Sequence, residues 1–244
     1  MKKILIIIVS IVIVFSIIFT GCSTATSGNK NTVPSNSNSQ SRTTVTNDTE
    51  TTNSNNSTEV DTTSSTTPQT TNIESEGILY MAEEEKLARD VYGYLYDLWG
   101  LTIFKNIQSA EQNHMDQVVN LVAKYNLALP STYDKVGVFS DPHLQELYNT
   151  LIEKGSKSIV DALSVGALIE ETDIADLKAY MNMTDNNAIK TVYSNLMQGS
   201  ENHLRAFVSQ LSSRGVDYTP SVITLDEYNA IIGSTTGKGN KGGH

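Results

Sequence analysis

The sequence predicts an all-α domain of four long helices, arranged as two antiparallel hairpins that one long crossover joins. Three observations predict this class. Between residues 76 and 233, apolar side chains recur at helical rather than at strand spacing. The connections inside each hairpin are only a few residues long, whereas about 30 residues separate the second long helix from the third. A segment of that length spans a whole bundle, and here it contains a short helix of its own.

Composition and charge exclude several functional classes. The 244 residues include 17 Lys and Arg against 27 Asp and Glu, which gives a formal net charge of −10. Nucleic-acid binding needs clustered basic side chains, so a nucleic-acid partner is not expected. A single cysteine cannot form an internal disulfide, and one cysteine with four histidines cannot build a Cys-rich zinc module.

Residues 1–22 have the pattern of a bacterial lipoprotein signal peptide. Lys2 and Lys3 precede a largely apolar run over residues 4–18, as in secretory signals. The run ends in Phe19-Thr20-Gly21-Cys22, which resembles a lipobox with Gly before the Cys. In lipoproteins the chain is cleaved before this Cys and its sulfur is lipidated, so we expect an extracytoplasmic protein anchored to the cell membrane through Cys22. An uncleaved N-terminal anchor is the alternative.

The segment after the signal peptide predicts a tether. Residues 23–75 are almost entirely Ser, Thr, Asn, Gln and Gly, so they cannot bury enough apolar surface to offset the entropy of ordering. A flexible coil of about 50 residues has a reach on the order of 40 Å. The Gly-rich residues 234–244 predict a flexible tail. The folded domain is therefore expected over residues 76–233.

The first hairpin is predicted from helices over residues 78–99 and 102–125. Gly100 leaves a very short connection, so the two helices must be antiparallel neighbours. The inner face of the first helix reads Met81, Glu85, Ala88, Tyr92, Leu95 and Trp99. The inner face of the second reads Ile107, Glu111, His114, Val118, Leu121 and Val122.

The crossover and the second hairpin follow from capping signals. Ser140-Asp141-Pro142 predicts the start of a short helix, which Gly155 ends. The third long helix is predicted from Ser156 or Ser158 to about Met181, and the fourth from Thr184 or Asp185 to about Arg214. Their inner faces read Ile159, Leu163, Ala167, Glu170, Ile174 and Leu177, and Ile189, Val192, Leu196, Ser200, His203 and Phe207. A short helix is predicted over residues 225–232.

Carboxylates and imidazoles interrupt the apolar inner faces of all four long helices. They are Glu85, Glu111, His114, Glu170 and His203. Burying an unpaired carboxylate costs several kcal/mol, so such groups are paired, protonated or bound to a metal. Di-iron bundles take one Glu from each of two helices and a Glu-x-x-His from each of the other two. This chain supplies that set except at Ser200, where the last Glu would stand. The pattern predicts a site for iron or manganese, which suit these ligands.

Several assignments have alternatives. Glu84, next to Glu85, also lies near the inner face, and of the neighbours Glu170 and Glu171 only one can face inward. Glu85 and Glu170 fit the stripes better. Glu111 and His114 on the second helix could alternatively form a buried hydrogen-bonded pair without a metal. Counting along the helices places His203 one to two turns beyond the level of Glu170, an offset that a tilted bundle or a two-metal site absorbs.

Three sequence blocks carry a family resemblance. They are Tyr80-Met-Ala-Glu-Glu-Glu-Lys-Leu-Ala-Arg-Asp-Val-Tyr92, Ile169-Glu-Glu-Thr-Asp-Ile-Ala-Asp-Leu177 and Ser200-Glu-Asn-His-Leu-Arg-Ala-Phe207. Over about residues 77–232 the chain resembles the bacterial ferritin-like family called domain of unknown function 2202. The first block and Ala110-Glu-Gln-Asn-His114 also resemble the first- and second-helix motifs of rubrerythrin-type proteins.

This resemblance implies a ferritin-like four-helix bundle with its long crossover between the second and third helices. In rubrerythrin-type proteins the equivalent site binds two irons and handles peroxide or oxygen. Carried over to this chain, the resemblance makes Glu85, Glu111, His114, Glu170 and His203 metal ligands. Because Ser200 departs from the pattern, an additional carboxylate would come from Asp173, Glu84 or Glu201. Tyr92 and Tyr193 lie at core spacing, with a hydrogen bond to a ligand as a further role.

Two classes of function follow. The first is a membrane-tethered metalloprotein with non-haem iron, in a di-iron pair or as a single ion, or manganese, acting as an oxidoreductase on peroxide or O2. The second is a non-catalytic interaction or metal-sequestering module that has lost the full di-metal site. Ser200, at the position of the missing glutamate, favours this second class. Assembly into a homo-oligomer stays open.

Overall fold

The computed structural model describes residues 69–234, which form six α-helices and no strand. The helices are α1 (Asn72–Trp99), α2 (Thr102–Lys124), α3 (Pro142–Gly155), α4 (Ile159–Asn182), α5 (Asn187–Ser212) and α6 (Leu225–Gly233). The predicted all-α class is therefore confirmed for this part of the chain. The predicted signal peptide with Cys22, most of the predicted tether and nearly all of the tail lie outside the described residues. Over residues 69–234, no helix has the length and apolar character needed to cross a membrane.

The start of α1 differs from the prediction. The helix begins at Asn72, six residues before the expected start and inside the predicted tether. The side chain of Thr71 accepts a hydrogen bond from the N–H of Glu74, and the Glu74 carboxylate accepts one from the N–H of Thr71. This capping box satisfies backbone donors that a helix start leaves free. Its Thr-x-x-Glu spacing was readable in the sequence.

The remaining helix ends agree closely with their capping signals. Asp141 caps α3 by accepting from the N–H of His143 at 2.7 Å, and Ser158 caps α4. At the start of α5 the cap is Asn186 rather than the predicted Thr184 or Asp185. The Asn186 side chain accepts from the helix, and the Thr184 hydroxyl accepts from the N–H of Asn186 itself.

The four long helices contact one another in a cyclic order. α1 packs on α2 and α4 packs on α5, while α1 also contacts α4 and α2 contacts α5. The α1–α2 connection contains only Gly100 and Leu101, with Gly100 in the left-handed conformation at φ 67°, so the paired helices run antiparallel. The crossover helix α3 lies against α1 and α4. The inner faces of all four long helices therefore meet in one core.

That core has two hydrophobic clusters with a charged layer between them. One cluster includes Leu95, Phe104 and Phe207, and the other includes Val118 and Leu196. Along α1, α2 and α5, the predicted ligands fall between residues of the two clusters, and on α4 Glu170 lies within the first cluster, before Leu177 of the second. Apolar side chains therefore close the charged layer above and below.

The glutamates that neighbour Glu85 and Glu170 are buried as well. Glu84 and Glu85 are both buried, as are Glu170 and Glu171. Glu84 faces α4, where its carboxyl group lies against that of Asp176, whereas Glu171 is covered by a chain segment on another side of α4. Glu171 accepts from the backbone N–H groups of the segment before α6, at 2.9 Å from both Ser221 and Val222.

A buried carboxylate of α1 likewise binds backbone N–H groups of the crossover. The carboxylate of Glu83 accepts from the N–H groups of Ser140 at 2.7 Å and Asp141 at 3.0 Å. The buried ammonium of Lys86 donates to Asp90 at 2.8 Å and to the carbonyl of Val138 at 3.2 Å. These charge-assisted bonds hold the crossover over α1 and satisfy the buried carboxylate of Glu83.

Candidate metal centre

Glu111 of α2 lies between two imidazoles. Its Oε2 is 2.8 Å from Nδ1 of His114, and its Oε1 is 2.8 Å from Nδ1 of His203 on α5. The two imidazole rings lie with their centroids 5.5 Å apart. Each carboxylate oxygen thus faces a different ring nitrogen, so Glu111 links the two imidazoles.

A second glutamate joins each imidazole. Oε2 of Glu85 on α1 is 3.3 Å from Nδ1 of His114, and Oε2 of Glu170 on α4 is 3.4 Å from Nδ1 of His203. The result is two groups that could each hold a metal ion, with Glu111 in both. The groups are Glu85, Glu111 and His114, and Glu111, Glu170 and His203, with the ligand atoms of each within 4.8 Å of one another.

All five predicted ligands therefore lie together, and the side chains of Glu170 and His203 meet across the expected offset. Residues 183–186 form the connection between α4 and α5, so the offset counted along the helices falls to about one turn. The i, i+3 spacing of Glu111 and His114 places both on one face of α2, as the sequence predicts.

Asp173 supplies a further carboxylate at this site. It lies one turn after Glu170 on α4 and is 5% exposed. The Ser200 hydroxyl hydrogen-bonds to its Oδ2, while its Oδ1 has no hydrogen-bond partner. Glu201 lies elsewhere, since its partly exposed side chain is 3.9 Å from Arg205. Of the candidates for the missing carboxylate, Asp173 is the one that contacts the Ser200 position.

The imidazoles and Glu111 favour their charged forms. Burial raises the pKa of Glu111, but the two imidazoles outweigh it and bring the pKa down to about 2. Burial lowers the pKa of His114, but the carboxylates of Glu111 and Glu85 raise it to about 11. Burial also lowers the pKa of His203, but the carboxylates of Glu170 and Glu111 raise it to about 10. Without a metal, two protons therefore balance part of the buried negative charge.

The other carboxylates favour their neutral forms. Burial raises the pKa of Asp173 to about 8, with further raising by Glu170 and Glu111. Burial and the neighbouring Asp173 raise the pKa of Glu85 well above its usual range, and burial with Glu111 raises that of Glu170. Like charges packed in a dry core cause these shifts, and a bound cation would reverse them.

Buried polar atoms without partners converge on the site. They are Oε1 of Glu85, Oε1 of Glu111, Oδ1 of Asp173 and Nδ1 of His203. The His203 and Glu111 atoms are close, but their angles are not those of a hydrogen bond. An unsatisfied buried polar atom costs about 1–3 kcal/mol, so such a set calls for a ligand. Carboxylate oxygens and imidazole nitrogens are the donors that iron and manganese take, so these residues fit such ions.

The two predicted tyrosines have different surroundings. The hydroxyl of Tyr92 donates to Oε1 of Glu170 at 2.5 Å and lies 3.3 Å from the carbonyl of Gly166. Tyr92 thus fixes the outer oxygen of a candidate ligand. Tyr193 instead belongs to the other hydrophobic cluster, where it packs against Tyr180 with ring centroids 6.4 Å apart.

The sequence reasoning missed Gly199. A Cβ at this position would lie 2.4 Å from Nε2 of His114, so only a glycine leaves room for the imidazole ring. A glycine inside a predicted helix is a signal for such a close approach, because it costs helix stability without another reason.

Relatives of the chain were found both in sequence and in structure. Residues 74–235 match the family model described as "Uncharacterized protein domain (DUF2202)". The chain is 57% identical over 166 residues to "Uncharacterized protein MJ0754" of Methanocaldococcus jannaschii, covering 68% of this chain and 90% of that protein. The crystal structure of "hypothetical protein MJ0754" from the same organism superposes with a TM-score of 0.68 at 55% identity. It covers 70% of this chain and 97% of that one. The chain therefore belongs to the domain-of-unknown-function 2202 family.

Proposed function

We propose that this protein is a ferritin-like, rubrerythrin-type metalloprotein that binds two iron or manganese ions between its four long helices. The observation that carries the proposal is Glu111, whose two oxygens each lie 2.8 Å from a different histidine nitrogen. A carboxylate in this position could be shared by two metal ions, one beside each histidine, because it belongs to both groups of candidate ligands.

Charge balance supports two divalent ions. Four buried carboxylates would act as ligands, namely Glu85, Glu111, Glu170 and Asp173, and His114 and His203 would bind as neutral imidazoles. Four negative charges compensate two divalent cations, whereas burying them uncompensated is costly. Asp173 restores the charge that Ser200 removes from the expected set.

The activity that we propose is oxidoreduction with O2 or peroxide. An iron or manganese pair supplies reversible one-electron changes and an open coordination position when it is bound. The protein residues would orient the ligands of the ions and shield the centre from water. Tyr92 holds Glu170 through its hydroxyl, and the two apolar clusters keep bulk water out. A cavity of about 10 Å³ borders the carboxylates and the side chains of Leu147, Leu151 and Leu168, with room for about one water-sized molecule.

Metal content tests the proposal. The full-length chain, purified in mild detergent because of its apolar N-terminus, is loaded with Fe²⁺ without oxygen, and the iron per chain is measured by elemental analysis. We expect two irons per chain and a magnetically coupled pair in the Mössbauer spectrum after exposure to oxygen. No bound iron would refute a metal centre, and one iron per chain would refute the pair.

A matched pair of variants localises the ions. Glu111→Gln removes the carboxylate shared by both groups and should abolish the pair. Glu76→Gln makes the same charge change at an exposed position of α1 and should leave two irons bound. Equal iron content in the two variants would contradict the assignment of Glu111.

Metal sequestration without turnover is the second candidate function. Ser200 favours it, because α5 then lacks the glutamate of the redox-active set to which the site is similar. Iron that stays bound and ferrous in air, with no consumption of O2 or peroxide above the level of the Glu111→Gln variant, would favour this candidate over oxidoreduction.

We further propose that the protein is a lipoprotein anchored at the outer face of the cell membrane through Cys22. The support is the charged, apolar and Gly-Cys order of residues 1–22. Labelled fatty acid should be incorporated into the wild-type protein in bacterial cells and not into Cys22→Ser. Equal labelling of both would refute this anchor.

A further inference from the structure

Glu84 is a buried carboxylate that the proposed dimetal centre does not use. Its residue is 4% exposed, and neither of its oxygens has a hydrogen-bond partner. A buried carboxylate in this state needs a proton or a cation to offset its desolvation. The flanking glutamates differ in this respect. Glu83 accepts hydrogen bonds from the crossover backbone, and Glu85 is a candidate ligand of the proposed dimetal centre.

The groups around Glu84 are other acids. Its carboxyl group lies against that of Asp176, and Asp173 and Glu85 are the next charged neighbours. The hydroxyl of Tyr80 donates to Oδ2 of Asp176 at 3.4 Å. Carboxylates together with a phenol oxygen form an all-oxygen environment, which suits a divalent cation.

This pair lies between solvent and the buried centre. Asp176 is only partly buried, whereas the carboxylates of the centre are 5% exposed or less. Glu170, Asp173 and Asp176 follow one another at three-residue spacing on α4, so they form one row along the helix. Glu84 also lines the cavity that borders the centre. A succession of neighbouring carboxylates thus leads from the partly exposed Asp176 past Glu84 to Asp173.

We propose that Glu84 and Asp176 form a transit site, which binds a divalent cation from solvent and delivers it to the dimetal centre. This inference rests on the proposed function, because a transit site needs a destination. The transit site adds no ligand to the final pair. Its effect is on the rate of loading, since carboxylates that line a narrow low-dielectric path raise the local cation concentration and the on-rate by about 10- to 1,000-fold.

The rate of Co²⁺ uptake tests the transit site. Apoprotein of the full-length chain in detergent is mixed with Co²⁺, and the visible absorption of bound Co²⁺ is followed by stopped flow. Glu84→Gln and Asp176→Asn should each slow loading by about tenfold or more. Both should still reach the wild-type content of two ions per chain. Glu76→Gln, an exposed charge change on the same helix as Glu84, should load at the wild-type rate.

The outcomes separate this inference from the proposed function. Wild-type loading rates in both variants would overturn the transit site and leave the centre intact. A carbonyl infrared band of a protonated carboxyl group, lost in Glu84→Gln, would then assign the pair a shared proton. A lower final Co²⁺ content in Glu84→Gln would also overturn it, by making Glu84 a permanent ligand. Wild-type protein that binds no Co²⁺ or Fe²⁺ at all would instead refute the centre itself.

Discussion

Replacing Gly199 with alanine tests whether the position of the His114 ring controls metal binding. The new Cβ would lie 2.4 Å from Nε2 and 2.6 Å from Cε1 of that ring, while ordinary contacts begin near 3.4 Å. The ring must therefore retreat by about 1 Å, the difference between 3.4 and 2.4 Å. Metal–ligand distances tolerate only about 0.2 Å, so Nδ1 leaves its ligand position.

The same substitution should leave the fold intact. Alanine in a helix interior is more stable than glycine by about 1 kcal/mol. Overpacking a core typically costs about 1–3 kcal/mol. The two contributions oppose each other, so the net loss is at most about 2 kcal/mol. Gly199→Ala should therefore weaken binding at the His114 ion by about 10- to 100-fold in a folded protein, as changes that misplace a ligand do.

The assay is metal content against free Fe²⁺ under anaerobic dialysis, with thermal unfolding as the check on folding. Gly93→Ala is the matched control, because its Cβ would meet only the end of the flexible Gln108 side chain, at 2.6 Å. The control should keep both ions and gain up to about 1 kcal/mol in stability. Unchanged affinity in a folded Gly199→Ala protein would refute a role for the His114 ring in binding.

Three further predictions concern protons and hydrogen bonds. Near neutral pH, loading should release at least two protons per chain, because His114 and His203 have metal-free pKa values of about 11 and about 10 and must bind metal as neutral rings. Calorimetry in buffers of different protonation enthalpy counts these protons, and the apparent affinity should rise with pH; no release would contradict the ligand set. Tyr92→Phe leaves Oε1 of Glu170 without its donor and should destabilise the metal-free protein by about 1–3 kcal/mol in denaturant unfolding. Glu171→Ala removes the acceptor of several backbone N–H groups and should cost about 3 kcal/mol or more, with faster proteolysis before α6; wild-type proteolysis would exclude this anchoring role.

The raised pKa values of the two histidines fix the sign of the pH dependence of stability in the metal-free protein. The raised pKa values of His114 and His203 mean that the folded state holds protons more tightly than the unfolded chain. This contribution is fully present below the unfolded histidine pKa of about 6.5 and is lost as pH rises through about 10 and 11. The metal-free protein should therefore lose stability at alkaline pH.

The sequence by itself determined the helices and the identity of the candidate ligands. Helix ends follow from local signals such as Asp141 before Pro142, because capping involves atoms only a few residues apart. The stripes that carry Glu111 and His114 follow from the 3.6-residue period, which fixes the face of a helix without reference to its neighbours. The Thr-x-x-Glu signal at Thr71 was equally local and was overlooked.

Only the tertiary structure decided which oxygen faces which nitrogen and which further groups are buried. Glu84 is buried against Asp176 of α4, and Glu171 is buried under the chain before α6, so both depend on residues far away in sequence. The Ser200–Asp173 contact joins two helices and replaces a carboxylate that the pattern on α5 lacks. Periodicity predicts which face of a helix is apolar, but the contacts of the other face depend on residues that are distant in the sequence.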